Sequence, residues 1–208
     1  MTICAFQMRG EHTMRECVAV LVLVLTPGVV QAGQEGAVDV GGAAGFAQSL
    51  HGDLDFGDAA VSGTGRVRVS RRVAFEGQVG YWQHRRHETF LTSRGEVVQT
   101  RLTHRFPNVT ASMLAVSDRD ARVGPYGGAG LGLFYHISRY EQSATSQFPA
   151  VSNSNWHIGA GATLVGGVDV RVATRVKAFG EFRFDVQSFR DPGSSVYRAL
   201  GGIRVPIG

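Results

Sequence analysis

Arg175-Val-Lys-Ala-Phe-Gly-Glu-Phe-Arg-Phe-Asp-Val-Gln187 alternates between two kinds of residue. Val176, Ala178, Gly180, Phe182, Phe184 and Val186 fall on one face of an extended chain. Arg175, Lys177, Phe179, Glu181, Arg183, Asp185 and Gln187 fall on the other. Side chains of a strand point alternately to its two faces, so the segment predicts a strand with an apolar face and a charged face. Turning the charges outward would make a soluble barrel, and turning the apolar face outward a barrel in a membrane.

Seven more runs carry the same pattern. They are predicted at about Val38–Ala47, Ala60–Val69, Val73–Trp82, Phe106–Val116 (starting as early as Val97), Gly124–Ile137, Trp156–Val172 and Val196–Ile207. Each is about ten residues or longer, enough for a tilted strand to cross a bilayer. The connections alternate in length. Ser70–Arg72, Ser117–Arg122 and Ala173–Thr174 are short. Gln48–Ala59, Gln83–Glu96, Ser138–Asn155 and Ser188–Ser195 are longer and polar. Outer-membrane barrels have short periplasmic turns and longer extracellular loops.

Upstream of the strands, Cys17–Leu25 reads CVAVLVLVL, an apolar run too short to span a bilayer as a helix. Arg15 precedes it, Thr26-Pro27-Gly28 breaks it, and Val30-Gln31-Ala32 supplies a small-residue cleavage site. The expected domains are a secretory signal peptide over 1–32, with Met14 an alternative start, and a barrel over 33–208. A buried strand or short anchor is the competing reading of this run. Cleavage would remove Cys4 and Cys17, the two cysteines, which excludes a disulfide framework or Cys-based metal site in the mature chain.

Composition agrees with an all-β chain. Of 208 residues 28 are glycine, about twice the usual ~7%. Twenty Arg and one Lys give a net charge of +4. These charges are spread along the strands instead of gathered in one patch, which argues against nucleic acid as a partner.

A soluble lipocalin-like calyx binding an apolar ligand also has eight alternating strands. Three features favour lipid outside. On the apolar face, Phe46, Tyr81, Tyr135, Trp156, Phe184 and Tyr197 lie at strand ends next to the long connections, as an aromatic girdle at the headgroup boundary would. The polar face carries both signs of charge: Arg66, Arg68, Glu76, Asp169, Arg171, Lys177, Glu181, Arg183, Asp185, Arg198 and Arg204. An eight-stranded interior is just wide enough for side chains to fill, and buried charges must be paired. Small polar-face residues (Gly, Ala, Ser, Thr) beside the long Arg side chains suit a narrow lumen.

The chain resembles the small bacterial outer-membrane β-barrel family of the OmpA/OmpX type. The residues that carry the resemblance are Gly124-Pro-Tyr-Gly-Gly-Ala-Gly-Leu-Gly132, the pair Gly167–Arg171 and Gly180–Asp185, and Ala199–Val205. Such barrels usually end on an aromatic residue, whereas this chain ends Val205-Pro-Ile-Gly208. The resemblance implies an eight-stranded antiparallel up-and-down barrel in the outer membrane. Its partners would be outer-membrane lipid, lipopolysaccharide and the outer-membrane insertion machinery. It implies no cofactor and no catalysis, but a structural or surface-contact role or a narrow passage for small solutes.

Two clusters invite other chemistry. His136, Ser138 and nearby Glu141 suggest a lipid-modifying hydrolase, although His and Ser share a face at a strand end while Glu141 falls in the loop. His84-Arg85-Arg86-His87 opens the second long loop. With Arg94, Arg101 and Arg105, Arg85 and Arg86 are candidates for contact with lipopolysaccharide phosphates, since Arg suits bidentate phosphate binding. A solvated loop is the plain alternative.

Overall fold

The computed structural model describes residues 38–50, 58–118, 121–146, 148–188 and 194–207. The predicted signal peptide lies outside them. Eight strands form: β1 (Val38–Ser49), β2 (Asp58–Arg68), β3 (Val73–Leu91), β4 (Val97–Val116), β5 (Val123–Gln142), β6 (Val151–Ala173), β7 (Val176–Ser188) and β8 (Ser194–Ile207). Each pairs antiparallel with the next, and β8 closes on β1 from Val38 opposite Ile207 to Ser49 opposite Val196. Closure leaves no unpaired edge in the ring, which a bilayer demands.

The barrel is apolar outside and charged inside. Leu131 is 72% exposed and Leu164 58%, whereas Arg183 and Arg204 are 0% exposed. That inversion makes sense only if the outer surface meets hydrocarbon. The apolar band continues around the ring through Val40, Val61, Phe75, Val79, Met113, Phe182 and Ile203.

Four strands run past the ring. Pairing of β2 with β3 reaches Ala60 opposite Trp82, and that of β6 with β7 reaches Ala160 opposite Ser188. Beyond those rungs β3 and β4 stay paired to Leu91 opposite Val97, and β5 and β6 to Gln142 opposite Val151. Gln83–Leu91 alone adds ~30 Å of strand at roughly 3.3 Å per residue. The β3–β4 turn closes at Gly95, whose φ of 77° lies in the left-handed region that glycine enters without strain.

The expected loops Gln83–Glu96 and Ser138–Asn155 are therefore mostly strand. They read as loops because both faces of the projecting sheet carry polar residues, so the apolar alternation stops where the membrane does. Tyr81, Tyr135 and Trp156 accordingly sit within long strands and not at their ends.

Candidate functional site

The inward positions of β3 rank the lumen contents from the short-turn side outward: Glu76, Gln78, Gly80, Trp82 and His84. Glu76 anchors the central layer. Arg66 donates to it at 2.8 Å, Arg204 donates at 3.2 Å, and Arg183 donates to its other oxygen. Arg183 also donates to Glu181 Oε1 at 2.6 Å and to Thr110 at 3.3 Å. Asp169 accepts from Arg66 at 3.0 Å and from Arg204. Three guanidinium groups and three carboxylates thus share one largely buried layer, where each charge needs its partners.

Tyr126 is the neutral centrepiece of that layer. Its hydroxyl donates to Glu181 Oε2 at 2.8 Å and accepts from Arg204 at 3.2 Å. Its ring face lies 4.1 Å from the Arg66 guanidinium carbon. Phe179 gives Arg204 a second ring face at 3.7 Å. Aromatic faces attract such cations.

One layer further out, Arg198 donates to Asp185 at 2.9 Å and to Gln78 and Asn108 at 3.2 Å each. Gly80 makes room for it, since a Cβ there would lie 2.8 Å from Arg198 Nη1. Above this layer Trp82 stacks on Phe106 with centroids 3.8 Å apart. Toward the short turns, Lys177 donates to Asp39 at 3.4 Å and Arg68 donates to the Ser117 carbonyl at 2.8 Å. Arg171 is half-buried near that mouth, which it lines with Arg68, Asp169 and Lys177.

All eleven charged residues expected in the lumen lie at inward strand positions. Phe179 is placed on the charged face by the sequence, whereas Tyr126, Trp82, Phe106 and Phe134 pass there for generic aromatics, because an aromatic in a barrel suggests lipid. Parity is the signal that finds them: Trp82 is in step with Glu76 and Gln78, and Phe179 with Glu181 and Arg183.

Of the expected girdle, Phe46, Tyr81 and Trp156 are exposed on the outer face, and Tyr135, Phe184 and Tyr197 are half-buried there. Phe46 meets the Tyr197 ring edge-on at 6.4 Å, and Phe182 stacks on Tyr197 at 6.0 Å. These rings form a patch over β7, β8 and β1.

Arg85 and Arg86 do not form one contact. Neighbours on a strand point to opposite faces. Arg85 faces outward, and Arg86 is on the other face with its Nε 2.7 Å from Glu88. What Arg85 does share its face with is more arginine. It lies opposite Thr103 on β4, and Arg139 lies opposite Thr103 on the β5 side. Arg101 and Arg105 flank Thr103 along β4. All four are exposed, while Thr103 in their midst is buried although it points outward. Glu141 partly neutralises the group, 2.8 Å from Arg139 and 3.9 Å from Arg101.

The same alternation separates His136 from the hydrolase acid. Glu141 is on the outer face and His136 on the inner, so the catalytic arrangement is not assembled. His136 instead joins a row of four histidines across β3–β6. His84 is opposite His104, and His157 is opposite His136. His104 Nδ1 and His136 Nε2 share a hydrogen bond of 2.8 Å. His84 Nδ1 lies 2.8 Å from Asp58 Oδ2. Phe106 stacks on His136 at 4.6 Å and 4°. Among the described residues no three His, Cys, Asp or Glu side chains are placed to hold a metal ion.

Comparison with known proteins adds to this geometry. Residues 17–194 match the family described as outer membrane protein beta-barrel domain. Among solved structures, Neisserial surface protein A is similar with a TM-score of 0.53 at 16% identity, over 82% of this chain and 99% of that one. A major outer membrane protein from Thermus thermophilus is similar with a TM-score of 0.51 at 10% identity, over 82% of this chain and 100% of the other. At these identities the likeness is one of fold. No curated protein matches by sequence.

Proposed function

The chain belongs to the outer membrane protein beta-barrel family, and on that premise we propose that it is a plugged scaffold of the outer membrane whose projecting sheet makes contacts at the cell surface. The observation that carries this reading is the continuation of β3–β6 beyond the ring. Among the described residues, Arg85–Leu91 and Val151–Gly159 form the sheet's two lateral edges, with no strand beyond them. A strand edge presents backbone donors and acceptors that an extended partner segment can pair with.

The lumen supports a scaffold over a pore. Arg183, Arg198 and Arg204 are buried across it, and each is held by a carboxylate. A solute would have to separate those pairs. In planar bilayers the protein should give no sustained conductance steps, and a stable open channel would refute the plug.

Surface contact is tested by trimming the sheet. Both hairpins are cut back to the rungs Gln83–Arg105 and Ile137–Trp156 and closed with Asn-Gly turns. The variant should keep the heat-modifiable gel mobility of a folded barrel, but cells bearing it should lose retention on a protein-coated surface. Unchanged retention would remove the contact role.

The four arginines around Thr103 favour lipopolysaccharide as the lipid partner. They stand just outside Tyr81 and Tyr135, where amphipathic rings settle at the headgroup level. Guanidinium groups bind phosphate bidentately. Replacing Arg85, Arg105 and Arg139 together by Gln should lower lipopolysaccharide phosphate retained through purification by about half or more. Equal retention would sink the contact.

A further inference from the structure

The histidine row stands apart from both the charge plug and the arginine group. It crosses four neighbouring strands at the base of the projecting sheet, on its inner face. Its rings follow one another strand by strand, with centroids 6.5 Å apart from His84 to His104, 5.0 Å to His136 and 6.3 Å to His157. Interplanar angles of 23° and 29° stack the first three rings, and His157 is tilted from His136 by 36°. Stacked rings set their nitrogens side by side and do not aim them at a common point, which suits proton exchange better than metal chelation.

An uncharged acceptor ring holds the central pair of this arrangement together. One donates to the next across the His104–His136 bond, which requires that an acceptor nitrogen stay free of a proton. Phe106 supplies an apolar platform for His136. Protonated, the same rings become like charges on adjacent strands, and like charges facing across a ladder weaken it.

We propose that the His84–His104–His136–His157 row is a proton-operated control on the projecting sheet, holding β3–β6 together when uncharged and loosening them when protonated. Among the described residues, the charged groups around the row are few. From β2, Asp58 faces His84 at 2.8 Å and serves that ring. Farther out along β3, Arg86 lies 2.7 Å from Glu88. On β4 the neighbours along the inner face are Phe106 and Leu102, on β5 Phe134 and Ser138, and on β6 Gly159 and Asn155. In the next layer down, Arg198 and Asp185 of β8 and β7 neutralise each other. Burial, and then the nearby His84, hold His104 below its ordinary value of 6.5. A histidine so lowered binds its proton less readily folded than unfolded. It costs nothing above its ordinary value and removes stability as the pH falls below it.

The test is hydrogen exchange on the full protein in lipid nanodiscs, at about pH 7 and about pH 4.5, expressed as protection relative to the unstructured peptide. Protection of Gln83–Leu91 and Val151–Ile158 should fall about tenfold or more in acid, while that of β7 and β8 holds. In the His104→Gln/His136→Gln variant the fall should shrink to about twofold or less. The single variant His157→Gln, which spares the hydrogen-bonded pair, should give an intermediate fall. Cold-gel mobility confirms that each variant is folded. Equal loss of protection in wild type and the double variant would overturn the proposal, as would no loss in wild type. Neither outcome depends on what the sheet contacts, so failure here leaves the surface-contact reading standing.

Discussion

Two arginine–glutamate pairs in this molecule have almost the same local geometry. In the lumen Arg183 Nε is 2.6 Å from Glu181, two residues away on β7. On the projecting sheet Arg86 Nε is 2.7 Å from Glu88, two residues away on β3. The first pair is 0% exposed on both side chains, and the second is 47% and 53% exposed. Distance does not distinguish them; surroundings do. In the dry interior a lost partner strands a charge, whereas at the surface water takes its place. The difference marks a boundary that the strands themselves do not show, because β3 passes through it without a break.

The sharpest way to break the comparison is Arg183→Ala. It leaves Glu181 and Glu76 buried with one cation fewer, a loss that costs about 3–5 kcal/mol when a buried pair is broken. Arg204 still reaches both carboxylates, and Arg66 reaches Glu76. The expected cost is therefore near the lower end, about 3 kcal/mol. It is read from the urea midpoint of the folded, heat-modifiable species in micelles. Adding Glu181→Gln to Arg183→Met should recover part of the loss, because removing both charges leaves less to compensate. A single variant as stable as wild type would mean that the plug is redundant.

The outer surface offers the next largest contrast. Leu131 stands midway along β5, opposite Ala111 and Ala162, and is 72% exposed. Leu131→Arg puts a cation against hydrocarbon and should cost about 2–4 kcal/mol. Val97→Arg, on the far end of β4, puts the same residue into water and should stay within about 0.5 kcal/mol. Equal effects at both positions would mean that the apolar band is not in lipid.

How much of this is legible from sequence follows the same boundary. Within the membrane, lipid on one side and a packed lumen on the other force strict alternation, so the eight strands and the inward charges can be read directly. Past Trp82 both sheet faces carry polar residues. His84-Arg85-Arg86-His87 then carries no alternation, and a strand looks like a loop. The better signal is symmetry: Gln83–Leu91 and Val97–Arg105 are matched segments about a tight turn with glycine at Gly95. The histidine row cannot be read at all, since His84, His104, His136 and His157 are brought together by register. The inward aromatics are hidden for a different reason. Ring chemistry suits both headgroup and lumen, and only parity with Glu76 or Glu181 tells which.

The smallest effect closes the comparison from the other side. Arg86→Ala removes the cation of the exposed pair and should cost only about 0.2–1 kcal/mol, the range for exposed ion pairs. Glu88 is then left with its carboxylate in water, which solvates it nearly as well as the guanidinium did. Salt should matter here and not in the lumen. Raising ionic strength from about 0.05 M to about 0.5 M shortens the screening length to a few ångströms, and should erase what difference there is between Arg86→Ala and wild type. The Arg183→Ala deficit should persist under the same change, because ions do not enter the plug. A salt-sensitive Arg183 deficit would mean that water and ions reach Glu181 and Glu76, and that the lumen is open after all.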